Sequence, residues 1–147
     1  MAKLIVAEPP AAYAQRPSLV VDASVLTAAV FAETEREQAL AWMRGRALFA
    51  PQVVDLEMTN AALNKLRRKL ATAEAAAAAL AKFAALDIDR RAIATDGVFD
   101  LAVRWKLSAY DAAYLWLAAE LKAPLATFDT RLGEAAKAYL ESPGRKT

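Results

Sequence analysis

Four acidic side chains carry the only pattern in this sequence that points to a particular chemistry. They are Asp22, Glu57, Asp111 and Asp129. Asp111 stands directly before the uncharged run Ala112–Ala119, where an ionised carboxylate is costly to bury unless it is paired, hydrogen-bonded or bound to a cation. Like charges held together would force some of these acids to bind protons, and a divalent cation reverses that balance. Such a cluster can hold one or two magnesium or manganese ions for the displacement of a phosphoryl group.

The positions of these acids predict that the fold brings them together. Asp22 follows the apolar triplet Leu19–Val21, and Asp129 ends a second apolar strand candidate. In parallel α/β sheets, ligand sites lie outside the carboxyl ends of the strands. Glu57 and Asp111 stand near the starts of helical segments, and helices that follow strands begin at the same edge. We therefore expect one shared pocket.

Each acid also has a purely structural interpretation. Asp22 and Asp129 can cap a helix or form a turn, and Glu57 can favour the positive end of its helix. Ser108 and Asp111 have the spacing of a capping box. The residues taken singly leave these alternatives open, and the chemical interpretation depends on the four together.

Composition narrows the chemistry further. The chain of 147 residues is 57% hydrophobic and 24% charged, which predicts one folded domain with a substantial core. It has no cysteine and no histidine, so disulfides, zinc–thiolate sites, cysteine nucleophiles and histidine-based triads are excluded. Any metal must be held by oxygen, which favours hard cations. The net charge of +2 is too small to indicate a polyanion-binding protein.

The sequence offers neither a signal-peptide core nor an apolar stretch long enough to span a bilayer. We therefore expect a cytoplasmic protein that does not associate with membranes.

Short apolar runs alternate with longer helical patterns, which predicts an α/β fold with parallel strands joined by helices. The expected strands are 19–21, 47–50, 86–88 and 124–128, and the expected helices start at 24 and cover 34–44, 54–70, 73–85, 93–106, 108–121 and 132–140. In the helix 54–70, leucines 56, 63, 66 and 70 recur at helical spacing opposite a basic side. Residues 1–17 are expected to form an N-terminal arm, with 4–7 a candidate edge strand, and 18–147 a single domain.

Four segments resemble the successive acidic motifs of PIN-domain ribonucleases, closest to the VapC-like toxins of toxin–antitoxin pairs. They are VVDASVL (20–26), PQVVDLEMTNAAL (51–63), SAYDAAYLWLA (108–118) and LATFDTRL (125–132). The resemblance covers about residues 19–140 and implies a PIN-like fold, in which α-helices sandwich a small parallel sheet of four to five strands.

Several functional expectations follow from this resemblance. Asp22, Glu57, Asp111 and Asp129 would be the catalytic and metal-binding acids, with Thr127 and Asn60 as accessory residues. The cofactor would be Mg²⁺ or Mn²⁺, activating a water that attacks an RNA phosphodiester. The resemblance also implies a homodimer and a small VapB-like antitoxin that inhibits the enzyme.

Basic and aromatic residues add candidate RNA contacts, each with a structural alternative. The basic candidates are Arg44, Arg46, Lys65, Arg67, Arg68, Lys69, Arg90, Arg91, Arg104 and Lys106, and a solvated helix face would explain them equally well. The aromatic residues that could stack on bases are Trp42, Trp105, Trp116, Tyr110 and Tyr114, for which core packing is the favoured role.

Other enzyme classes fit the sequence poorly. It has no P-loop motif, and the segment after the first strand reads Asp22-Ala23-Ser24 where a haloacid-dehalogenase-like phosphatase needs Asp-x-Asp. Two alternatives within the same fold stay open: a non-catalytic PIN-like module that binds RNA or protein, and an RNA-maturation nuclease without an antitoxin.

Overall fold

A computed structural model describes Ile5 and residues 16–142. The proposed N-terminal arm, including the candidate edge strand 4–7, therefore lies outside the described residues except for Ile5, Arg16 and Pro17. The boundary placed at residue 18 stays a prediction, although the first strand begins there.

Four parallel strands form the sheet of the described chain, in the order β3-β2-β1-β4. Their bounds are β1 Ser18–Val21, β2 Ala47–Pro51, β3 Ile88–Arg91 and β4 Leu125–Ala126. Leu19 of β1 pairs with Leu48 of β2, and Val20 pairs with Leu125 of β4. All of Leu19–Val21 is fully buried, as expected of a central parallel strand covered on both faces.

Seven helices flank the sheet in the part of the chain that the structure describes. They are α1 Ala23–Val30, α2 Arg36–Met43, α3 Val54–Arg67, α4 Ala73–Ala85, α5 Thr95–Trp105, α6 Ala109–Leu121 and α7 Thr130–Leu140. Helix α6 lies against β1, β2 and β4 with α5 and α7 packed on it, whereas α1 contacts α2, α3 and α4. Among the described residues, no helix has both the length and the apolarity needed to cross a membrane. The architecture is the α/β fold that the sequence predicts.

Two strand predictions need correction. The third strand begins at Ile88, where 86–88 was expected, because Leu86 caps the end of α4. Its polar residues are accommodated at the sheet edge, where the Arg90 and Arg91 guanidinium groups lie over the rings of Phe83 and Phe49. The fourth strand is also shorter than the expected 124–128, because its last residues leave the sheet and turn into the cap of α7.

The apolar face assigned to α3 is also wrong. Val54, Met58 and Ala62 are the residues that this helix buries. The four leucines at helical spacing are exposed, to 73% for Leu56, 39% for Leu63, 39% for Leu66 and 61% for Leu70. The neighbouring Lys65 is instead partly buried, bonded to Glu33 and lying over the ring of Phe31. Helix α3 therefore packs on its neighbours through the face that carries Val54, Met58 and Ala62, and the leucines face outward.

The sheet order places a topological switch point between β1 and β4. The chain passes from β1 outward to β2 and β3, and then returns to pair β4 on the other side of β1. Crevices for ligands form at such points, outside the carboxyl ends of the strands. Asp22 directly follows β1, and Thr127 directly follows β4.

Candidate active site

Asp22 is the buried acid at the switch point, with 5% of its surface exposed. It is the N-cap of α1, and its Oδ1 accepts hydrogen bonds from the backbone N–H groups of Ser24 (3.0 Å) and Val25 (3.3 Å). The Ser24 hydroxyl donates to the same oxygen. The capping interpretation of Asp22 is therefore confirmed. The capping bonds use only Oδ1, and Oδ2 faces Thr127 after β4, so capping does not exclude a second role for Asp22.

Thr127 and Ser24 join Asp22 to the segment that follows β4. The Thr127 hydroxyl donates to Asp22 Oδ2 at 2.7 Å and accepts the backbone N–H of Asp129 at 2.9 Å. The Ser24 hydroxyl accepts the backbone N–H of Phe128 at 2.9 Å. Two hydroxyls thus fix the backbone that carries Asp129 relative to Asp22. Asp129 itself caps α7, with Oδ1 accepting the N–H of Leu132 at 2.8 Å.

Glu57 lies in the first turn of α3 and is linked to α6 by Tyr114. The Tyr114 hydroxyl donates to Glu57 Oε1 at 2.7 Å, and the tyrosine is 1% exposed. Burial, followed by the charge of Glu57, raises the pKa of the Tyr114 hydroxyl, so it keeps its proton for this bond. The core role favoured for Tyr114 is thus confirmed, but its hydroxyl also orients a candidate site acid.

Asp111 lies in the first turn of α6, after the N-cap Ser108. The Ser108 hydroxyl accepts the Asp111 backbone N–H at 3.1 Å, which is one of the two bonds of the capping box expected there. The Asp111 side chain is half-buried. Its pKa is raised overall, and the nearby guanidinium charge of Arg131 offsets part of that increase. Arg131 lies in the first turn of α7, two residues after Asp129.

The acids influence one another electrostatically. Burial is the main cause that raises the pKa of Asp22, and it is partly offset by the bonds from Ser24 and Thr127. Burial also raises the pKa of Glu57, and the charges of Asp22 and Asp111 add to the increase. The pKa of Asp111 is raised mainly by burial, and the charges of Asp129 and Asp22 raise it further. Each acid therefore interacts with at least one other, and Asp22, Glu57 and Asp129 come soon after the carboxyl ends of β1, β2 and β4 in the chain.

The four carboxylates influence one another but do not form a ready-made metal site. Within residues 16–142, no group of three or more acidic side chains is arranged so that it could hold a metal ion as it stands. Asp22, Glu57 and Asp129 each direct an oxygen to a protein donor instead. The two observations are compatible, because electrostatic influence extends further than the roughly 2 Å over which magnesium is ligated.

The accessory residues differ in how the structure places them. Thr127 is half-buried and bonded to Asp22. Asn60 lies one turn after Glu57 and its side chain is exposed. Thr127 therefore belongs to the hydrogen-bonded framework, and the role of Asn60 stays a prediction.

A cavity of about 700 Å³ lies beside β4, between α2 and α7. Trp42, Pro124, Leu125 and Leu140 are among its lining residues, and none of the four acids is. It meets the site through Thr127 and Phe128, which line it as well.

Sequence reasoning missed three participants: Ser24, Tyr114 as a positioning residue, and Arg131. Ser24 stands two residues after Asp22 and Arg131 two after Asp129, so adjacency to the acids was a signal for both. Tyr114 lies three residues after Asp111, on the same side of the helix. Its apolar surroundings favoured a core role, to which the structure adds a hydrogen bond to Glu57.

Several of the basic residues proposed for RNA contact bind acidic or aromatic side chains of the protein itself. Arg90 is bonded to Asp55 and Arg91 to Asp89. Arg46 lies over the ring of Trp42, and Arg104 over that of Trp105. These side chains have partners within the protein, and their contacts with RNA stay a prediction. The charge of Arg131 acts on the site acid Asp111.

Comparison with known proteins agrees with this geometry. The family model of the PIN domain matches residues 19–138. VapC ribonuclease Mb0985 of Mycobacterium bovis and ribonuclease VapC9 of Mycobacterium tuberculosis are each 33% identical to this chain over 122 residues, which is 82% of this chain and 92% of theirs.

Solved structures show the same fold. PAE2754 from Pyrobaculum aerophilum superposes with a TM-score of 0.66 at 25% identity, over 81% of this chain and 79% of that one. VapC20 of Mycobacterium tuberculosis, a toxin that cleaves the sarcin–ricin loop, superposes with a TM-score of 0.58 at 18% identity, over 80% and 94%. The family-model match and the 33% identity to the VapC ribonucleases show that the chain belongs to the PIN-domain family, in its VapC-like branch.

Proposed function

We propose that this protein is an endoribonuclease toxin that hydrolyses RNA phosphodiester bonds with Mg²⁺ or Mn²⁺ held among Asp22, Glu57, Asp111 and Asp129. The observation that carries the proposal is the hydrogen-bonded framework around the acids: Thr127 joins Asp22 to the segment that carries Asp129, and Tyr114 joins Glu57 to the helix that carries Asp111. The names of the relatives support the same activity, since VapC9 and Mb0985 are both ribonucleases.

The donor set fits a hard divalent cation. All candidate ligands are carboxylate oxygens, which magnesium and manganese prefer, and the chain has no histidine or cysteine to offer a softer metal. Burial raises the pKa values of Asp22, Glu57 and Asp111, and repulsion by neighbouring acids adds to the increase for Glu57 and Asp111. A positive charge among them would oppose both effects. When bound, the cation would supply an activated water and charge neutralisation at the phosphate.

The protein's own contribution is positioning and charge. The hydroxyls of Ser24 and Thr127 hold Asp22 against the segment that carries Asp129, and Tyr114 holds Glu57. Such partners keep the carboxylates oriented before substrate arrives. Arg131, close to Asp111, offers a positive charge to an RNA phosphate that would otherwise be repelled by the acids.

Two protein partners belong to this proposal. A VapB-like antitoxin would neutralise the toxin, and a second copy of the chain would form a homodimer. The exposed leucines of α3 support self-association, because Leu56, Leu63 and Leu66 add apolar surface to one helix and Leu70 follows just beyond its end. Acting on cellular RNA would place the protein in the cytoplasm.

Cleavage of RNA by the purified full chain tests the proposal. We expect fragments of total cellular RNA when Mg²⁺ or Mn²⁺ is added, and none with a chelator. Asp111→Asn should reduce cleavage by at least about 100-fold, since it removes a charge that stabilises the reaction electrostatically. Glu120→Gln, an exposed acid near the other end of α6, is the matched control and should cleave normally.

The outcomes separate the candidate functions. RNA binding without cleavage by the wild-type protein would favour the non-catalytic module. Cleavage that Asp111→Asn retains would reject the assigned acids. A toxin should also arrest growth when expressed alone and be rescued by co-expression of its antitoxin, whereas an RNA-maturation nuclease needs no such partner.

A further inference from the structure

Strand β4 is the last strand on its side of the sheet in the described chain, and its outer edge is open. The Pro124 carbonyl oxygen accepts the backbone N–H of Val20 in β1 at 2.9 Å. The Ala126 carbonyl oxygen accepts that of Asp22 at 3.2 Å. Backbone groups alternate in direction along a strand, so the N–H and C=O of Leu125 face away from β1. These outward groups offer hydrogen bonds to one more strand.

The edge strand on the other side, β3, differs in its side chains. It carries Asp89, Arg90 and Arg91, and charged residues on an edge strand oppose pairing with a further strand. Strand β4 consists of Leu125 and Ala126, which are both apolar. Of the two edges, β4 is therefore the one suited to receive a strand.

The cavity of about 700 Å³ beside β4 is an apolar groove along this edge, with Leu125 and Ala126 in its lining. Right-handed connections place α2, between β1 and β2, on one face of the sheet and α6, before β4, on the other. Helix α7 packs on α6. A strand added to β4 would therefore lie between Trp42 of α2 and Leu140 of α7, which both line the groove. Trp42 is 49% exposed, so the groove is open to an incoming segment.

Segment 4–7 of the N-terminal arm has the composition that such a strand needs. It reads Leu-Ile-Val-Ala, and an apolar run without polar alternation is typical of a strand covered on both faces. Glu8 and then Pro9 and Pro10 end the run. Ile5, the residue of this segment that the structure describes, is 88% exposed. The chain thus has an apolar groove and an apolar segment that are both uncovered.

Residues 8–17 are long enough to connect this segment to β1, which begins at Ser18. A strand outside β4 lies two strand spacings, or about 10 Å, from β1. Ten residues span up to about 33 Å when extended. Parallel pairing needs a crossover of about a dozen residues or more, so this connection favours an antiparallel strand. That direction brings Glu8 to the end of the groove where Lys122 lies, shortly before β4.

We propose that segment 4–7 docks in this groove as a fifth strand, antiparallel to β4 of the same chain. Docking covers Ile5 and provides partners for the outward backbone groups of Leu125. The edge leads directly into Thr127, the residue bonded to Asp22, so the docked strand also stabilises that part of the backbone. The inference goes beyond the proposed function and does not depend on it, because neither of its tests uses RNA cleavage.

Hydrogen exchange of the Leu125 backbone N–H, followed by NMR in the full chain, is the first test. This amide should exchange at least about tenfold more slowly in the wild type than in Val6→Asp, because a charge opposes docking in an apolar groove and leaves the edge open to water. Ala12→Asp is the matched control, since it adds the same charge to the arm outside the segment and should keep the wild-type protection. The Val20 N–H, bonded to Pro124 within the sheet, should exchange equally slowly in all three proteins if the fold is intact.

Cysteine pairs provide the second test. The chain has no cysteine, so a disulfide in a double variant joins the two residues that were introduced. Leu125→Cys is combined in turn with Leu4→Cys, Ile5→Cys, Val6→Cys and Ala7→Cys. A paired strand should form disulfides at alternate positions, because successive side chains point to opposite faces and a disulfide needs Cβ atoms about 3.5–4.5 Å apart.

Slow exchange at Leu125 that only Val6→Asp removes, with disulfides within one chain at alternate positions, would establish the fifth strand. Fast exchange in the wild type would overturn the inference and leave the groove to a partner from outside the chain. Protection that rises with protein concentration, with disulfides between two chains, would reject it in favour of the arm of a second copy. Equal protection in Val6→Asp, or equal disulfide formation at all four positions, would also contradict a paired strand.

Discussion

The Tyr114 hydroxyl donates a 2.7 Å hydrogen bond to Oε1 of Glu57, and this bond connects α6 to α3 across the candidate active site. Tyr114 is 1% exposed, so the bond is shielded from water on one side. A hydrogen bond to a charged acceptor in such surroundings contributes more than one between neutral groups. The carboxylate orientation at Glu57 therefore depends on a residue that lies on the same helix as Asp111.

Tyr114→Phe should leave the fold intact and weaken the metal site. Phenylalanine fills the same volume, but Glu57 loses a bond that lowers its pKa, so the pKa of Glu57 rises further. Cation binding needs the ionised carboxylate, and we expect Mg²⁺ affinity to fall by about 10- to 100-fold, as is usual when a partner of a metal ligand is removed. The pH at which Mg²⁺ binding is half complete should rise.

A Mg²⁺ titration followed by thermal melting, repeated at several pH values, provides the measurement. Tyr110→Phe is the control, because it removes an exposed hydroxyl one turn earlier on the same helix. Unchanged Mg²⁺ affinity and pH dependence in Tyr114→Phe would show that the bond is only structural.

Thr127→Val tests the link between Asp22 and the segment carrying Asp129. Valine keeps the branched shape but removes the donor to Asp22 and the acceptor of the Asp129 N–H. We expect a loss of about 1–3 kcal/mol in the free energy of unfolding and a drop in cleavage, because Asp22 is buried and Asp129 is no longer held in place.

Thr127→Ser is the matched variant, since it retains the hydroxyl and should recover both stability and activity. Denaturant unfolding and RNA cleavage are the two measurements. If Thr127→Val keeps wild-type stability and cleavage while Thr127→Ser loses them, the Thr127 methyl group beside Gly133 matters and the hydroxyl bridge does not.

Most helices and the four strands could be predicted, because capping residues and helix-favouring composition agree with the way these segments pack in the fold. The N-caps at Asp22, Ser108 and Asp129 mark the starts of three helices, and the alanine-rich helix at 73–85 has the predicted bounds. Its composition favours a helix in any context. The parallel arrangement followed from strands separated by helices.

The α3 face could not be predicted, because periodicity alone does not say which of two faces a helix buries. Leucines at helical spacing are usually core residues, yet Leu63 is exposed and Met58 is buried. Hydrogen bonds between residues far apart in the chain could not be predicted either, because they depend on how the helices pack. The bond from Tyr114 to Glu57 joins residues 57 positions apart. That the four acids bind metal stays a prediction.

Lysine substitutions on the exposed face of α3 test the homodimer. Leu63→Lys and Leu66→Lys place charges on two leucines that are each 39% exposed. If this face is shared between copies, both variants should be monomeric by light scattering at concentrations where the wild type is a dimer, since burying a lysine at an apolar contact is costly.

The matching control for self-association is Val103→Lys on α5, an exposed apolar position on another helix. A dimer that persists in both α3 variants would exclude this face, and a monomeric wild type would reject the homodimer altogether.

Without divalent metal, the protein should be more stable at mildly acidic pH than at neutral pH. The pKa values of Asp22, Glu57 and Asp111 are raised in the folded state, mainly by burial, so the folded protein binds these protons more tightly than the unfolded chain does. Stability must therefore fall as the pH rises through these raised pKa values. The lowered pKa of Asp89, held by Arg91, acts in the opposite direction but belongs to an exposed pair.

Thermal melts in chelator, from about pH 7 down to about pH 5, give the sign of this effect. The midpoint should rise as the pH falls, and added Mg²⁺ should raise it at neutral pH. Glu57→Gln removes one of the mutually repelling charges, so its metal-free midpoint at neutral pH should exceed that of the wild type and its response to Mg²⁺ should shrink. An unchanged or lower midpoint in this variant, with a wild-type response to Mg²⁺, contradicts a shared carboxylate site, because repulsion among the acids is the reason a cation is needed there.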